Sequence, residues 1–217
     1  MPDDAWPAPA SEARSDRPVA HSELEREVKF AVPNLALVEE RLRSVEGTEA
    51  QFISTIHERN YVLDTVREEL KARDERLRIR EIEERPGVQV TWKGPGRVRQ
   101  GIRRREEREF HADDREACVA VLSNLGLRPV RSYEKVRSSW RFAHMIVCLD
   151  TLPFGCFVEI EMTAEIAETD EAAMLEKAVT FLGLESAPRL QASYARLQQE
   201  WQGMLDKYAR KAAKGRH

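Results

Sequence analysis

The chain has 217 residues, 34% of them charged and 41% hydrophobic, the balance of a globular protein with more charge than average. Its 35 basic and 38 acidic side chains leave a net charge of −3, which argues against nucleic acid as a partner, because such binders carry a basic excess. Three cysteines, Cys118, Cys148 and Cys156, are too few and too oddly spaced for a disulfide framework or a zinc site, and no apolar run approaches membrane-spanning length.

Residues 1–20 are rich in Pro, Ala, Ser and Asp and lack the basic and apolar regions of a signal peptide. They are expected to be disordered, in a cytoplasmic protein. The first strand is Glu25-Arg26-Glu27-Val28-Lys29-Phe30. Glu25, Glu27 and Lys29 share one face; Leu24, Val28 and Phe30 share the other, interrupted by Arg26. Pro33-Asn34 breaks this strand, and Asn34 is the candidate cap of a helix carrying Leu35, Val38, Leu42 and Val45. Gly47 stops that helix.

Glu49 to Asp64 reads as one extended strand, and Arg67 to Arg73 as a helical turn or a charged loop. Leu77–Arg80 and Val88–Lys93 are strands joined across Pro86-Gly87. A second turn at Gly94-Pro95-Gly96 leads to the strand Ile102–Phe110. Asp113 with Glu116 reads as a capping box for a helix through Val119, Leu122 and Leu125. Val130–Phe142 and Met145–Leu152 pair across Ala143-His144, and Cys156–Met162 follows Pro153-Phe154-Gly155. Helices are expected from about Asp170 to Leu182 and from near Ser193. The basic end, 209–217, is expected to fray into solvent.

The charged faces recur from strand to strand. Glu25, Glu27 and Lys29 are followed by Arg78 with Arg80, then Thr91 with Lys93. Arg105, Glu107 and Glu109 come next, then Lys135 with Arg137, Asp150 alone, and Glu159 with Glu161. The opposite faces are mostly β-branched or aromatic and must be covered by the helices. The expected fold is therefore an α+β protein: about eight antiparallel strands closed into a barrel, charged inside, with helices packed outside. Buried ion pairs rarely outdo hydrophobic packing, so such an interior implies use. Neighbouring Arg and Lys match phosphate oxygens. Glu pairs two residues apart match a hard divalent cation, Mg²⁺ or Mn²⁺. Together they describe a site for a triphosphate bound with metal.

This ordered set of motifs resembles the CYTH superfamily, the triphosphate tunnel metalloenzymes, which include inorganic triphosphatases, thiamine triphosphatases and class IV adenylyl cyclases. The resemblance runs from the Glu-x-Glu-x-Lys at Glu25, Glu27 and Lys29 to Ser193-Tyr194 and covers about 21–208. It implies an eight-stranded tunnel open at both ends and a small-molecule triphosphate substrate. It implies phosphate contacts from Lys29, Arg78, Arg80, Lys93, Arg105, Lys135 and Arg137. The metal ligands it implies are Glu25, Glu27, Glu159 and Glu161, with Asp150 as the extra ligand. Glu107, Glu109 and Lys29 are its candidates for orienting or deprotonating the attacking water, and Glu109 has pairing to an arginine as its alternative role. Some members add a C-terminal basic contact, for which Gln191-Ala192-Ser193-Tyr194 offers no counterpart. Tyr61 and Asp64 match a Tyr-x-x-Asp strand of the family, with core packing the expected role of Tyr61. By analogy alone, the assembly implied is a homodimer. The leading expectation is a metal-dependent triphosphatase; a class IV adenylyl cyclase and a non-catalytic polyphosphate-binding module stay open beside it.

Overall fold

The structure is a computed structural model that describes residues 21–83, 85–163 and 168–214, with side chains apart from 21–23, 168–169 and 208–214. The expected disordered segment 1–20 lies outside the described residues.

In chain order the elements are β1 (His21–Val32), α1 (Ala36–Ser44), β2 (Ala50–Asp64), α2 (Glu69–Ala72), β3 (Arg76–Ile82), β4 (Val88–Lys93), β5 (Arg97–Arg99), β6 (Ile102–Ala112), α3 (Arg115–Asn124), β7 (Arg128–Phe142), β8 (Met145–Leu152), β9 (Gly155–Met162), α4 (Glu168–Leu182), β10 (Arg189–Leu190) and α5 (Tyr194–Lys214). The strands follow the order β10-β1-β9-β8-β7-β2-β3-β4-β6-β5, and a further pairing of β1 with β6 closes eight of them into an antiparallel barrel. The eight barrel strands are those read from the sequence. The short β5 and β10 escaped that reading because two or three residues carry no alternation.

β1 makes the closure by dividing its edges. Its first half pairs with β6 and its second half with β9, and Glu27 takes part in both, opposite Arg103 and Glu161. A twisted sheet of this size meets its own edge, which removes the unpaired strand edges.

Apolar side chains outside the barrel form two cores. Val28, Phe30, Trp140, Val147, Val158 and Ile160 meet Val38 and Leu42 of α1 and Leu175, Val179 and Leu182 of α4. Leu63, Leu77, Ile79, Val88 and Val90 meet Leu70 of α2 and the partly buried Val119 and Leu122 of α3. Each fully buried aliphatic or aromatic side chain contributes about 1.5–3 kcal/mol, so these stripes hold the helices outside and turn the charged faces inward.

Arg26, which interrupts the apolar face of β1, has its reason here. With Arg104 of β6 it pairs to Glu171 of α4, a buried carboxylate, and so ties the closing seam to a helix. The N-cap of α1 is Leu35, not the expected Asn34; Asn34 lies one residue earlier, and its side chain accepts from the Ala36 amide at 3.1 Å. The cap of α3 is Asp114 rather than Asp113: its backbone is extended, and its side chain accepts from the Ala117 amide at 3.0 Å. Leu125 follows the last turn of α3 and is exposed.

A third core lies inside the barrel, at one end. Tyr133, Leu152 and Phe157 point inward there, and Tyr194 and Ala195 at the start of α5 pack among them. Apolar side chains thus gather at one end of the barrel. The basic end expected to fray continues as α5 through Lys214. No described helix is long and apolar enough to cross a membrane.

Candidate active site

The barrel encloses a cavity of about 380 Å³. Of the expected site residues, Glu25, Glu27, Lys29, Arg78, Arg80, Lys93, Glu107, Glu109, Lys135, Arg137, Glu159 and Glu161 line it. They converge because each belongs to an inward face of alternating period. Arg76, Gln89, Tyr133 and Tyr194 also line the cavity and were not singled out as site residues by sequence.

One wall is acidic. Glu27 and Glu161 are cross-strand partners on β1 and β9, and Glu25 lies two residues before Glu27. Burial, then the charge of Glu25, pushes the Glu161 carboxyl up to about 7. Burial and Glu25 raise Glu27 as well. Lys93 reaches this wall, 2.5 Å from Glu25 and 2.9 Å from Glu107. Burial pulls its ammonium down, but Glu25 and Glu107 outweigh that and hold it above the usual value.

The opposite wall is basic. Arg137 and Lys135 of β7 bind Asp150, at 2.6 Å and 3.2 Å. Lys135 also lies 3.6 Å from Glu58, which Arg80 approaches to 3.2 Å. Burial would raise Glu58, but Lys135 and Arg80 hold it at about 2. Burial, then Arg137, lowers Lys135. Arg80 donates to Asn60 at 3.3 Å and to Gln89 at 3.1 Å. The Arg78 Nε is buried with no hydrogen-bond partner among the described residues.

Lys29 bridges the walls. It pairs with Glu159 at 3.0 Å, and its ammonium lies 4.1 Å from the Tyr194 ring centroid. Burial opposes its charge, yet Glu159 and Glu27 raise its pKa. Glu159 also pairs with Arg137, and the Lys29 and Arg137 charges overcome burial to hold it well below the usual carboxylate value.

Two expected site residues lie elsewhere. Asp150 is fully buried and accepts from Arg137, Lys135 and the Tyr194 hydroxyl, the last at 2.7 Å. These donors occupy both of its oxygens, so it anchors cations instead of joining the acidic wall. Arg105 sits behind the cavity lining, 3.3 Å from Asp74. Glu109 is held by Thr91 at 2.9 Å and by Gln89, not by an arginine. Tyr61 packs in the outer core and donates to Glu81 at 3.0 Å, while Asp64 accepts from the Leu70 and Lys71 amides at the start of α2.

The acidic wall suits a hard divalent cation. The Glu25 Oε2 is buried without a donor among the described residues, and burial, then the charge of Glu25, makes Glu27 and Glu161 favour protons. Among the described residues, no three carboxylates are already gathered around one point at metal-ligand spacing. Glu25 and Glu159 lean on Lys93, Lys29 and Arg137.

The family model of the CYTH domain matches residues 23–194. A Methanocaldococcus jannaschii protein provisionally named as an adenylate cyclase is 26% identical over 150 residues, 68% of this chain and 82% of the relative. Two solved structures share the fold. One is a Vibrio parahaemolyticus protein with the same provisional name, at TM-score 0.67 and 21% identity, covering 82% of this chain and 98% of that one. The other is a Hippeastrum protein provisionally named an adenylyl cyclase and described as having a dominant triphosphatase activity, at TM-score 0.61 and 19% identity, covering 81% and 95%.

Proposed function

The chain belongs to the CYTH domain family, and from that membership we propose that it hydrolyses a triphosphate held in the tunnel together with a divalent cation, Mg²⁺ or Mn²⁺. The observation that carries this reading is the polarity of the cavity: a basic wall from β3 and β7 faces an acidic wall from β1 and β9. The Hippeastrum relative's triphosphatase activity is consistent with it.

In this reading Arg78, Arg80, Lys135 and Arg137 hold phosphate oxygens, and Lys93 and Lys29 reach them from the other side. Glu25, Glu27, Glu159 and Glu161 hold the cation, which when bound neutralises phosphate charge and polarises phosphorus. Asp150 keeps Lys135 and Arg137 in place rather than binding metal. Lys29 stays protonated, because Glu159 raises its ammonium pKa, and so serves as a phosphate contact and not as a base. Glu109, oriented by two neutral donors, is the group assigned to take the proton of the attacking water. Glu107 holds Lys93.

The test is to incubate the full chain with tripolyphosphate and with ATP, each with Mg²⁺ or Mn²⁺, and to follow orthophosphate and cyclic AMP. Orthophosphate release without cyclic AMP is expected. Cyclic AMP with pyrophosphate would overturn the assignment in favour of a cyclase, and tight binding without turnover in favour of a binding module.

A further inference from the structure

At the end of the cavity near α5, three guanidinium groups crowd one carboxylate. Asp74 lies 3.1 Å from Arg103, 3.3 Å from Arg105 and 3.9 Å from Arg76. The Gly96 amide donates to the same carboxylate at 2.8 Å. Asp74 is half exposed, whereas the Arg105 side chain is 1% exposed and that of Arg103 is 12% exposed. Despite burial, Arg103 Nε and both Nε and Nη1 of Arg105 have no hydrogen-bond partner among the described residues. Buried charged donors without acceptors are costly and uncommon in native folds.

The nearest other acids are already assigned. Glu27 and Glu25 sit across the β1–β6 pairing from Arg103 and Arg105, and both belong to the wall read as the cation site. The cluster therefore carries three positive charges against Asp74. Burial, and then Arg105 and Arg103, pull Arg76 down to about 10, as expected where like charges lack counter-ions. Arg76 itself lines the cavity, so the cluster is continuous with the space assigned to the triphosphate.

We propose that Arg76, Arg103 and Arg105 form a further anion subsite at the end of the tunnel, one that takes a phosphate group beyond the three held by the basic wall. That phosphate is either the end of a longer linear polyphosphate or free orthophosphate. The proposal rests on the triphosphate reading above. Arg105 keeps its role as a phosphate contact but serves this fourth position, which explains why it lies off the main lining. No group transfer is required of the subsite; it binds and orients.

The test is calorimetric titration of the full chain in EDTA, so that nothing turns over, with linear tripolyphosphate, linear tetrapolyphosphate and orthophosphate. The wild type is expected to bind tetrapolyphosphate about tenfold tighter than tripolyphosphate, the gain of one charge-assisted contact set. Arg76→Gln and Arg103→Gln should each bring the two affinities to within about twofold, and Arg76→Lys should keep part of the gain. Arg80→Gln should weaken both ligands alike. Orthophosphate binding that disappears in Arg76→Gln supports the subsite as a site for free phosphate. If tripolyphosphate binds but the fourth phosphate adds nothing, or if its gain survives Arg76→Gln, the subsite is wrong and the triphosphate reading stands. If the wild type binds neither polyphosphate in EDTA nor with Ca²⁺ or Mg²⁺ restored, the triphosphate reading falls and takes the subsite with it.

Discussion

The acidic wall makes a prediction about stability that does not depend on turnover. Glu161 has an ordinary carboxyl value of 4.5 and is raised to about 7 in the fold by burial, Glu25 and Glu107. Below pH 4.5 the group is protonated whether the chain is folded or not, so it costs nothing. Between 4.5 and 7 the folded protein keeps a proton that the unfolded chain has lost, so stability falls as pH rises. Above about 7 the penalty is complete. At roughly 1.4 kcal/mol per pH unit, the ceiling is about 3 kcal/mol; residual solvent contact brings it nearer 2. Glu27 is shifted in the same direction and adds to the slope. Glu58, held at about 2, works the opposite way, but its contribution is complete above 4.5 and is lost only as pH falls toward 2. The assay is urea unfolding in EDTA at pH 5, 6, 7 and 8. The wild type should lose about 2–3 kcal/mol across the series, Glu161→Gln should lose much less, and millimolar Mg²⁺ should flatten the wild-type slope. A wild-type slope that is flat or rising, or one that Glu161→Gln leaves intact, would refute the argument.

Asp150→Ala should destabilise the fold by about 3–5 kcal/mol, because it strands Lys135 and Arg137 without their buried partner. Its activity should not return at high Mg²⁺; recovery by added cation would reinstate Asp150 as a ligand. Tyr194→Phe removes only the hydroxyl that binds Asp150 and should cost about 1–2 kcal/mol in thermal or chemical denaturation, leaving the ring beneath Lys29. Glu171→Gln should cost about 3 kcal/mol by removing the buried negative charge that faces Arg26 and Arg104, yet leave KM for tripolyphosphate unchanged, since that triad lies outside the barrel. A large rise in KM would mean that the closing seam governs the tunnel's shape.

The inward faces could be read from sequence because alternation with charge is distinctive: Arg78 with Arg80 and Glu159 with Glu161 declare a face wherever the strand lies. What could not be read was which side chain meets which. Asp150 resembles a metal ligand by position, and only the register that sets it opposite Arg137 on β7 reveals its partner. Glu58 was hidden inside a long strand whose faces look alike, since Ser54, Thr55, His57 and Asn60 mix polar residues onto both. Arg26 looked like an error in an apolar face until α4 placed Glu171 over it. The shift of the α3 cap from Asp113 to Asp114 is a one-residue matter, because adjacent aspartates offer the same side chain and differ only in backbone.

The polarity of the tunnel follows from strand order more than from composition. Around the barrel the sequence is β1, β9, β8, β7, β2, β3, β4, β6 and back to β1. Two of the three Glu-x-Glu strands, β1 and β9, are far apart in the chain but neighbours in the sheet, so their carboxylates add; the third, β6, borders β1 on its other side. The Arg-x-Arg strand β3 and the Lys-x-Arg strand β7 flank β2, whose Glu58 pairs with both Arg80 and Lys135 and relieves their repulsion. A chain with the same charges in another strand order would alternate signs around the barrel and pair them off. Here like charges gather on opposite walls that neutralise each other only in part: Glu159 pairs with Lys29 and Arg137, while Glu27 and Glu161 are raised on one side and Arg80 and Lys135 are lowered on the other. In each case burial is the largest cause and a like-charged neighbour the next. A polyphosphate and a divalent cation bound together, each against its own wall, would relieve both, whereas either alone would relieve only one.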